Sequence, residues 1–285
     1  MPTAPPPASP PPQLAPGLRR ARDAARHQRL GPAKSLAGAL TTASLLVPTE
    51  LLLRTLSGNR RAYLPWLFHR GLARSLGIRI VTHGKPAGTA RPGTQGVLYV
   101  ANHVSWADIP VLGAHIRAAF VAKAEVGGWG VVGWLATLAR TAYVTRDRRS
   151  TTAHQRDSLS ARLAHGESLI LFPEGTNSDG SRVLPFKSAL FAAAHGLEGL
   201  RVQPITIAYT RLNGMPVTRK QLPDLAWVGE TELVPHAVAF MALGSIRAEI
   251  LYHPLVIAAD FPDRKALARH CETVIRAGYN KLMRG

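Results

Sequence analysis

The sequence predicts an α/β fold, a mixed central sheet flanked by helices, behind an N-terminal membrane-associating helical segment. Two observations carry that expectation. From residue 78 onward, short β-rich apolar runs alternate with stretches of helical length, the pattern of a sheet covered by helices. Ahead of them lie a basic segment and an apolar run, Leu36 to Leu56, that stand outside this alternation. The boundaries follow: residues 1–34 form a disordered proline-rich and basic tail, 35–77 a membrane-associating helical segment and 78–285 a catalytic domain. A chain of 285 residues is long enough to give that last part a sizeable core.

Each element has its own local reason. Met1 to Pro16 is proline-rich and lacks the compact apolar core of a secretory signal, so disorder is expected. Arg19, Arg20, Arg22, Arg26, Arg29 and Lys34 then precede the apolar run, which Pro48, Glu50 and Arg54 interrupt. Its uncharged part, Ser35 to Thr49, is shorter than the roughly 20 residues a helix needs to cross a bilayer, so an interfacial or re-entrant helix is expected. The competing reading is a core helix of a soluble domain. A second apolar stretch, Tyr63 to Leu76, carries Trp66, Phe68, Arg70 and Arg74. Strands are expected at Ile78–Thr82, Gly96–Ala101, Ala119–Val121, Thr141–Thr145, Glu167–Phe172, Val202–Tyr209 and Arg247–Leu255. Helices are expected at Asp108–Ile116, Gly130–Leu138, Thr152–His165, Ser188–His195, Leu233–Ala242 and Pro262–Met283. The last is amphipathic, with Leu267, Cys271, Val274, Ile275 and Leu282 at helical spacing.

Composition narrows the function class. The chain is 46% hydrophobic yet 18% charged, too charged for a polytopic membrane protein and suited to one that sits on a bilayer. Its 35 Lys and Arg against 17 Asp and Glu leave a formal net charge of +18, a field that attracts polyanions such as anionic lipid, phosphorylated molecules, an acidic carrier protein or nucleic acid. The nucleic-acid reading is disfavoured, because aromatics are 6%, the basic residues are spread through the chain, and no RRM, KH or zinc-finger signature is present. Cys271 is the single cysteine, which excludes an internal disulfide and a cysteine-built metal site, and the histidines show no clustered metal-ligand spacing. Neither a metal nor a cofactor is expected.

The chemistry concentrates at strand ends. Asn102-His103-Val104-Ser105-Trp106-Ala107-Asp108-Ile109-Pro110 follows one expected strand and opens a helix, a junction where side chains project into a crevice. Pro110 belongs in a first helical turn, which places His103 and Asp108 where they can meet. A histidine with one ring nitrogen held by a carboxylate has a fixed tautomer and a second nitrogen free to take a proton. Tyr143-Val144-Thr145-Arg146 ends another strand, and Leu171-Phe172-Pro173-Glu174-Gly175-Thr176 a third. A glycine in such a turn lets backbone N–H groups approach a phosphate, and an arginine can bind one bidentately.

These segments, with Val202-Gln203-Pro204-Ile205-Thr206-Ile207, resemble in order the four blocks of the glycerolipid acyltransferase family. Asn102-His103 through Asp108 corresponds to its NH-x4-D block and Phe172 to Thr176 to its FPEGT block. Lys123-Ala124-Glu125 and Leu184-Pro185-Phe186-Lys187 resemble further family segments, whereas Asn177 stands where members often carry arginine and Ala189 where a glycine is common. The resemblance implies a glycerol-3-phosphate acyltransferase-like fold and transfer of a fatty acyl group from acyl-CoA or acyl carrier protein to a lysophospholipid hydroxyl. The expected acceptor is 1-acylglycerol 3-phosphate, and the alternative is an aminolipid such as lyso-ornithine lipid, whose carboxylate also suits an arginine. It further implies His103 as general base, Asp108 as its orienter, and Arg146, Glu174, Gly175, Thr176 and Lys187 as substrate-binding residues, with Glu174 positioning either the backbone or the acceptor hydroxyls. No acyl-enzyme is required, and no G-x-S-x-G elbow is present. The cytoplasmic face of an anionic membrane is the expected location.

Overall fold

The structure is a computed structural model that describes residues 16–57, 64–88, 94–144, 149–194, 196–229 and 231–284. Helices α1 (Pro16–Ser57) and α2 (Leu64–Ser75) come first, followed by strands β1 (Ile78–His83) and β2 (Val97–Ala101), helix α3 (Asp108–Gly113) and strand β3 (Ala119–Lys123). Then come α4 (Gly130–Leu138), β4 (Ala142–Val144), α5 (Arg149–Ala164), β5 (Leu169–Leu171), β6 (Arg201–Leu212), β7 (Met215–Pro216), α6 (Leu222–Leu225), α7 (Leu233–Ala242), β8 (Ile246–Tyr252), β9 (Val256–Ile257) and α8 (Arg264–Arg284).

The strands form one mixed sheet in the order β1-β8-β6-β2-β5-β3-β4, with β7 and β9 added to β6. β2 runs parallel to both β5 and β6, and β6 meets β8 antiparallel. β2 and β5 are buried along their whole length, as central strands covered on both faces must be. Because β2 and β5 are neighbours and run the same way, their following loops emerge side by side. Those loops carry the histidine and the glutamate blocks.

Three local expectations are corrected. The helix expected at Ser188–His195 is a 3-10 turn at Ser188–Phe191 followed by turns to Ala194, and His195 lies outside the described residues. Phe191 is fully buried and this turn packs against α8, while the Lys187 amide donates to Pro173 O, so tertiary contacts set the backbone. The strand expected over Arg247–Leu255 splits into β8 and β9 at His253-Pro254-Leu255, where proline has no N–H for a ladder. The tail expected to reach residue 34 gives way at Pro16 to α1, since the Ala-, Leu- and Arg-rich sequence after it favours helix and proline suits a first turn.

α1 also continues through Pro32 and Pro48. Within it, Gly31–Leu52 is 22 residues with a hydropathy of 1.3, long and apolar enough to cross a membrane by length and composition. Ser35 and Glu50 are buried, whereas Leu36, Leu40, Leu45, Leu51 and Leu52 are exposed, as are Lys34, Thr41, Ser44 and Thr49. α1 packs on α2 through small residues. A Cβ at Gly71 would lie 2.5 Å from Thr42 Cγ2, and one at Gly38 would lie 2.7 Å from Ser75 Oγ. Gly71→Val should therefore push α1 and α2 apart and cost about 1–3 kcal/mol, the usual scale of overpacking, read as a lowered thermal midpoint. An unchanged midpoint would show that the two helices are not held this closely.

Candidate active site

β2 ends at Ala101, and the next residue locks the strand's exit in place. Asn102, 1% exposed, donates from Nδ2 to Ile207 O and accepts the Ile207 amide on Oδ1, both at 2.9 Å. That clasp on β6 fixes where His103 leaves the sheet. The chain then turns through Ser105, whose carbonyl accepts the Asp108 amide at 3.0 Å, and α3 begins at Asp108.

His103 and Asp108 meet across this turn. His103 Nδ1 lies 2.8 Å from Asp108 Oδ2, which also accepts the Val104 and Ser105 amides at 2.7 and 2.9 Å. The other oxygen, Oδ1, accepts the Tyr209 hydroxyl at 2.7 Å. Asp108 is fully buried, and a buried carboxylate is tolerable only when donors replace its lost water. Tyr209 is buried as well, and burial together with the adjacent carboxylate raises its hydroxyl pKa well above the ordinary value. With both main-chain amides donating to the carboxylate, the ring must also donate, so Nδ1 carries the proton and Nε2 presents a lone pair.

The glutamate block closes over the other side of the imidazole. The Phe172 ring stacks on His103 with centroids 4.0 Å apart and planes 15° from parallel. Glu174 Oε1 accepts the His103 amide at 2.7 Å and Oε2 the Leu184 amide at 2.9 Å, and the Ser178 amide donates to His103 O at 2.8 Å. Gly175 has φ +67°, the left-handed conformation that lets the chain reverse here. Asn177 Nδ2 reaches His103 Nε2 at 3.3 Å.

The expected site residues are thus distributed as follows. His103, Asp108, Glu174 and Gly175 come together. Glu174 is 1% exposed with both oxygens taken by main-chain amides, so of the two roles expected of it, positioning the backbone or the acceptor hydroxyls, these bonds are the first: it holds the backbone of the base. Thr176 is exposed on the same turn, and Lys187 is exposed where the chain returns to Pro173. Arg146 lies outside the described residues. Tyr209 was not singled out from the sequence, although a tyrosine in a buried strand signals a hydroxyl in need of a partner. Cys271 is buried in α8 with its thiol pushed up to about 12 by burial, far from nucleophilic character.

A model of a family described as Acyltransferase matches residues 79–208. Among characterised proteins, the chain is 44% identical over 238 residues to a lyso-ornithine lipid O-acyltransferase of Brucella abortus, covering 81% of this chain and 87% of that protein. It is 33% identical over 208 residues to a 1-acyl-sn-glycerol-3-phosphate acyltransferase of Neisseria meningitidis, covering 73% of this chain and 77% of the relative. The crystal structure of the acyltransferase PlsC from Thermotoga maritima superposes with a TM-score of 0.65 at 21% identity, covering 92% of this chain and 97% of that one.

Glu174 supplies a test of how the two loops are tied. Burial pushes its carboxyl up to about 8, against the pull of the two amides. A carboxyl raised in the folded state contributes stability that is complete below its unfolded value of roughly 4.3 and is lost as pH rises through the folded value. The margin in thermal midpoint of the native protein over Glu174→Gln should therefore shrink between about pH 4 and about pH 8. A constant margin across that range would show that folding does not raise the Glu174 carboxyl.

Proposed function

From the premise that this chain belongs to the acyltransferase family and acts on lysophospholipid-type acceptors, we propose that its acceptor is lyso-ornithine lipid. The observation that carries this choice is the 44% identity, along 87% of its length, to a lyso-ornithine lipid O-acyltransferase. The second reading, 1-acylglycerol 3-phosphate as acceptor, is favoured by the Neisseria relative at 33% identity. The order of the two acceptors expected from the sequence is thereby reversed.

In the proposed reaction the acceptor hydroxyl hydrogen-bonds to His103 Nε2 and gives up its proton as its oxygen attacks the thioester carbonyl of acyl-CoA or acyl carrier protein. Asp108 stabilises the imidazolium through Nδ1. Collapse of the tetrahedral intermediate breaks the C–S bond, and the imidazolium proton passes to the departing thiolate. Direct transfer suits a site in which the side chain against Nε2 is an asparagine and the lone cysteine is buried with a raised pKa. Arg146, Thr176 and Lys187 are proposed to meet the polar head or the donor's phosphates. The exposed leucines of α1, with Ser35 and Glu50 turned inward, and the net charge of +18 support seating on an anionic leaflet at the cytoplasmic face.

Purified enzyme assayed with lyso-ornithine lipid and lysophosphatidate against acyl-CoA and acyl carrier protein tests the proposal. Higher kcat/KM for lyso-ornithine lipid is expected, with His103→Ala lowering turnover at least about a hundredfold on either acceptor. Preference for lysophosphatidate would overturn the acceptor, and near-normal turnover by His103→Ala would overturn the base.

A further inference from the structure

Beyond the base and its carboxylate, one side chain reaches the atom on which transfer turns. Asn177 Nδ2 is 3.3 Å from His103 Nε2. Since the proton sits on Nδ1, facing Asp108, this bond runs from the carboxamide N–H to the imidazole lone pair. Asn177 is held in place from both sides: Glu174 grips the His103 amide, and the Ser178 amide grips the His103 carbonyl. An acceptor hydroxyl that is to lose its proton to Nε2 must displace the carboxamide N–H or share the nitrogen with it. The head of the acceptor therefore arrives in contact with Asn177.

The charge around that point is distinctive. Asn177 is half-buried and neutral. Two residues on, Asp179 is exposed, and hydrogen bonds from the Ser181 hydroxyl and amide hold its carboxyl below the ordinary range. The first cationic side chain along the turn is Arg182, exposed and interacting with Asp179. A carboxamide both donates and accepts, so it can meet a carboxylate through its N–H and an amine through its oxygen. A guanidinium in its place would attract a phosphate and repel an ammonium.

We propose that Asn177 is the specificity-determining residue for the acceptor: its neutral carboxamide, set against the base nitrogen, admits a head group that bears an amine as well as a carboxylate, and places no fixed cation at that nitrogen to draw a phosphate head there. The proposal rests on the lyso-ornithine lipid reading above. It gives Asn177 two separable effects, one on acceptor choice through charge and one on the base through its N–H.

The experiment compares the native enzyme with Asn177→Arg and Asn177→Ala on lyso-ornithine lipid and lysophosphatidate presented in the same mixed micelles. Asn177→Arg should lower kcat/KM for lyso-ornithine lipid at least about tenfold and move the ratio of the two acceptors toward lysophosphatidate by a larger factor. Asn177→Ala should keep the native order of preference. It should also move the ¹⁵N signal of His103 Nε2, because the carboxamide N–H that reaches this nitrogen is gone. A merely structural residue would not give that shift. A native enzyme that prefers lysophosphatidate overturns the acceptor reading. A native enzyme that prefers lyso-ornithine lipid, with a ratio unmoved by Asn177→Arg, overturns the role of Asn177 alone. If the arginine prevents folding, an unmoved Nε2 signal in Asn177→Ala overturns it.

Discussion

The Asp108 carboxylate is the constraint around which the site is assembled. Fully buried, it is kept in the core by donors from three directions: the His103 ring, the Val104 and Ser105 amides of its own turn, and the Tyr209 hydroxyl from β6. Stripping a carboxylate of water costs several kcal/mol, and this ring of donors offsets that cost only in one geometry. The geometry that satisfies the carboxylate is also the one that puts the proton on Nδ1 and the lone pair on Nε2. Fold stability and the readiness of the base are thus one arrangement.

A second acidic side chain does for the loops what Asp108 does for the ring. Glu174 spends both oxygens on main-chain amides, one in the His103 loop and one at Leu184, so the loops after β2 and β5 move as a unit. With Phe172 stacked on the imidazole, His103 has little freedom except at Nε2. Asn177 occupies that one open direction. Outside the sheet, α1 turns leucines outward and Ser35 and Glu50 inward, the arrangement expected of a helix whose surroundings are apolar.

Much of this was legible because it is local in sequence. The pairing of His103 with Asp108 follows from a strand-to-helix junction with proline in the first turn, and α4 and α7 fall where their apolar runs place them. What sequence reading missed depends on distance or on the main chain. Tyr209 reaches Asp108 across 101 positions, a contact fixed by strand order. Which of its two expected roles Glu174 takes was not legible, because its partners are amides, which every residue has and no motif displays. The continuation of α1 through Pro32 and Pro48 was hidden because proline is a reliable breaker only where packing does not compensate, and here α2 and α7 pack against the helix. The short turn at Ser188–Phe191 likewise reflects burial of Phe191 overriding local propensity.

The central claim is that the carboxylate holds His103 in the tautomer that leaves Nε2 free, and nitrogen NMR reads this directly. In protein labelled with ¹⁵N at histidine, with the His103 signals assigned by their loss in His103→Gln, the neutral ring should show a protonated Nδ1 and an unprotonated, pyridine-like Nε2. The opposite tautomer, with the proton on Nε2, would contradict the account, since a base cannot accept a proton at a nitrogen that already bears one.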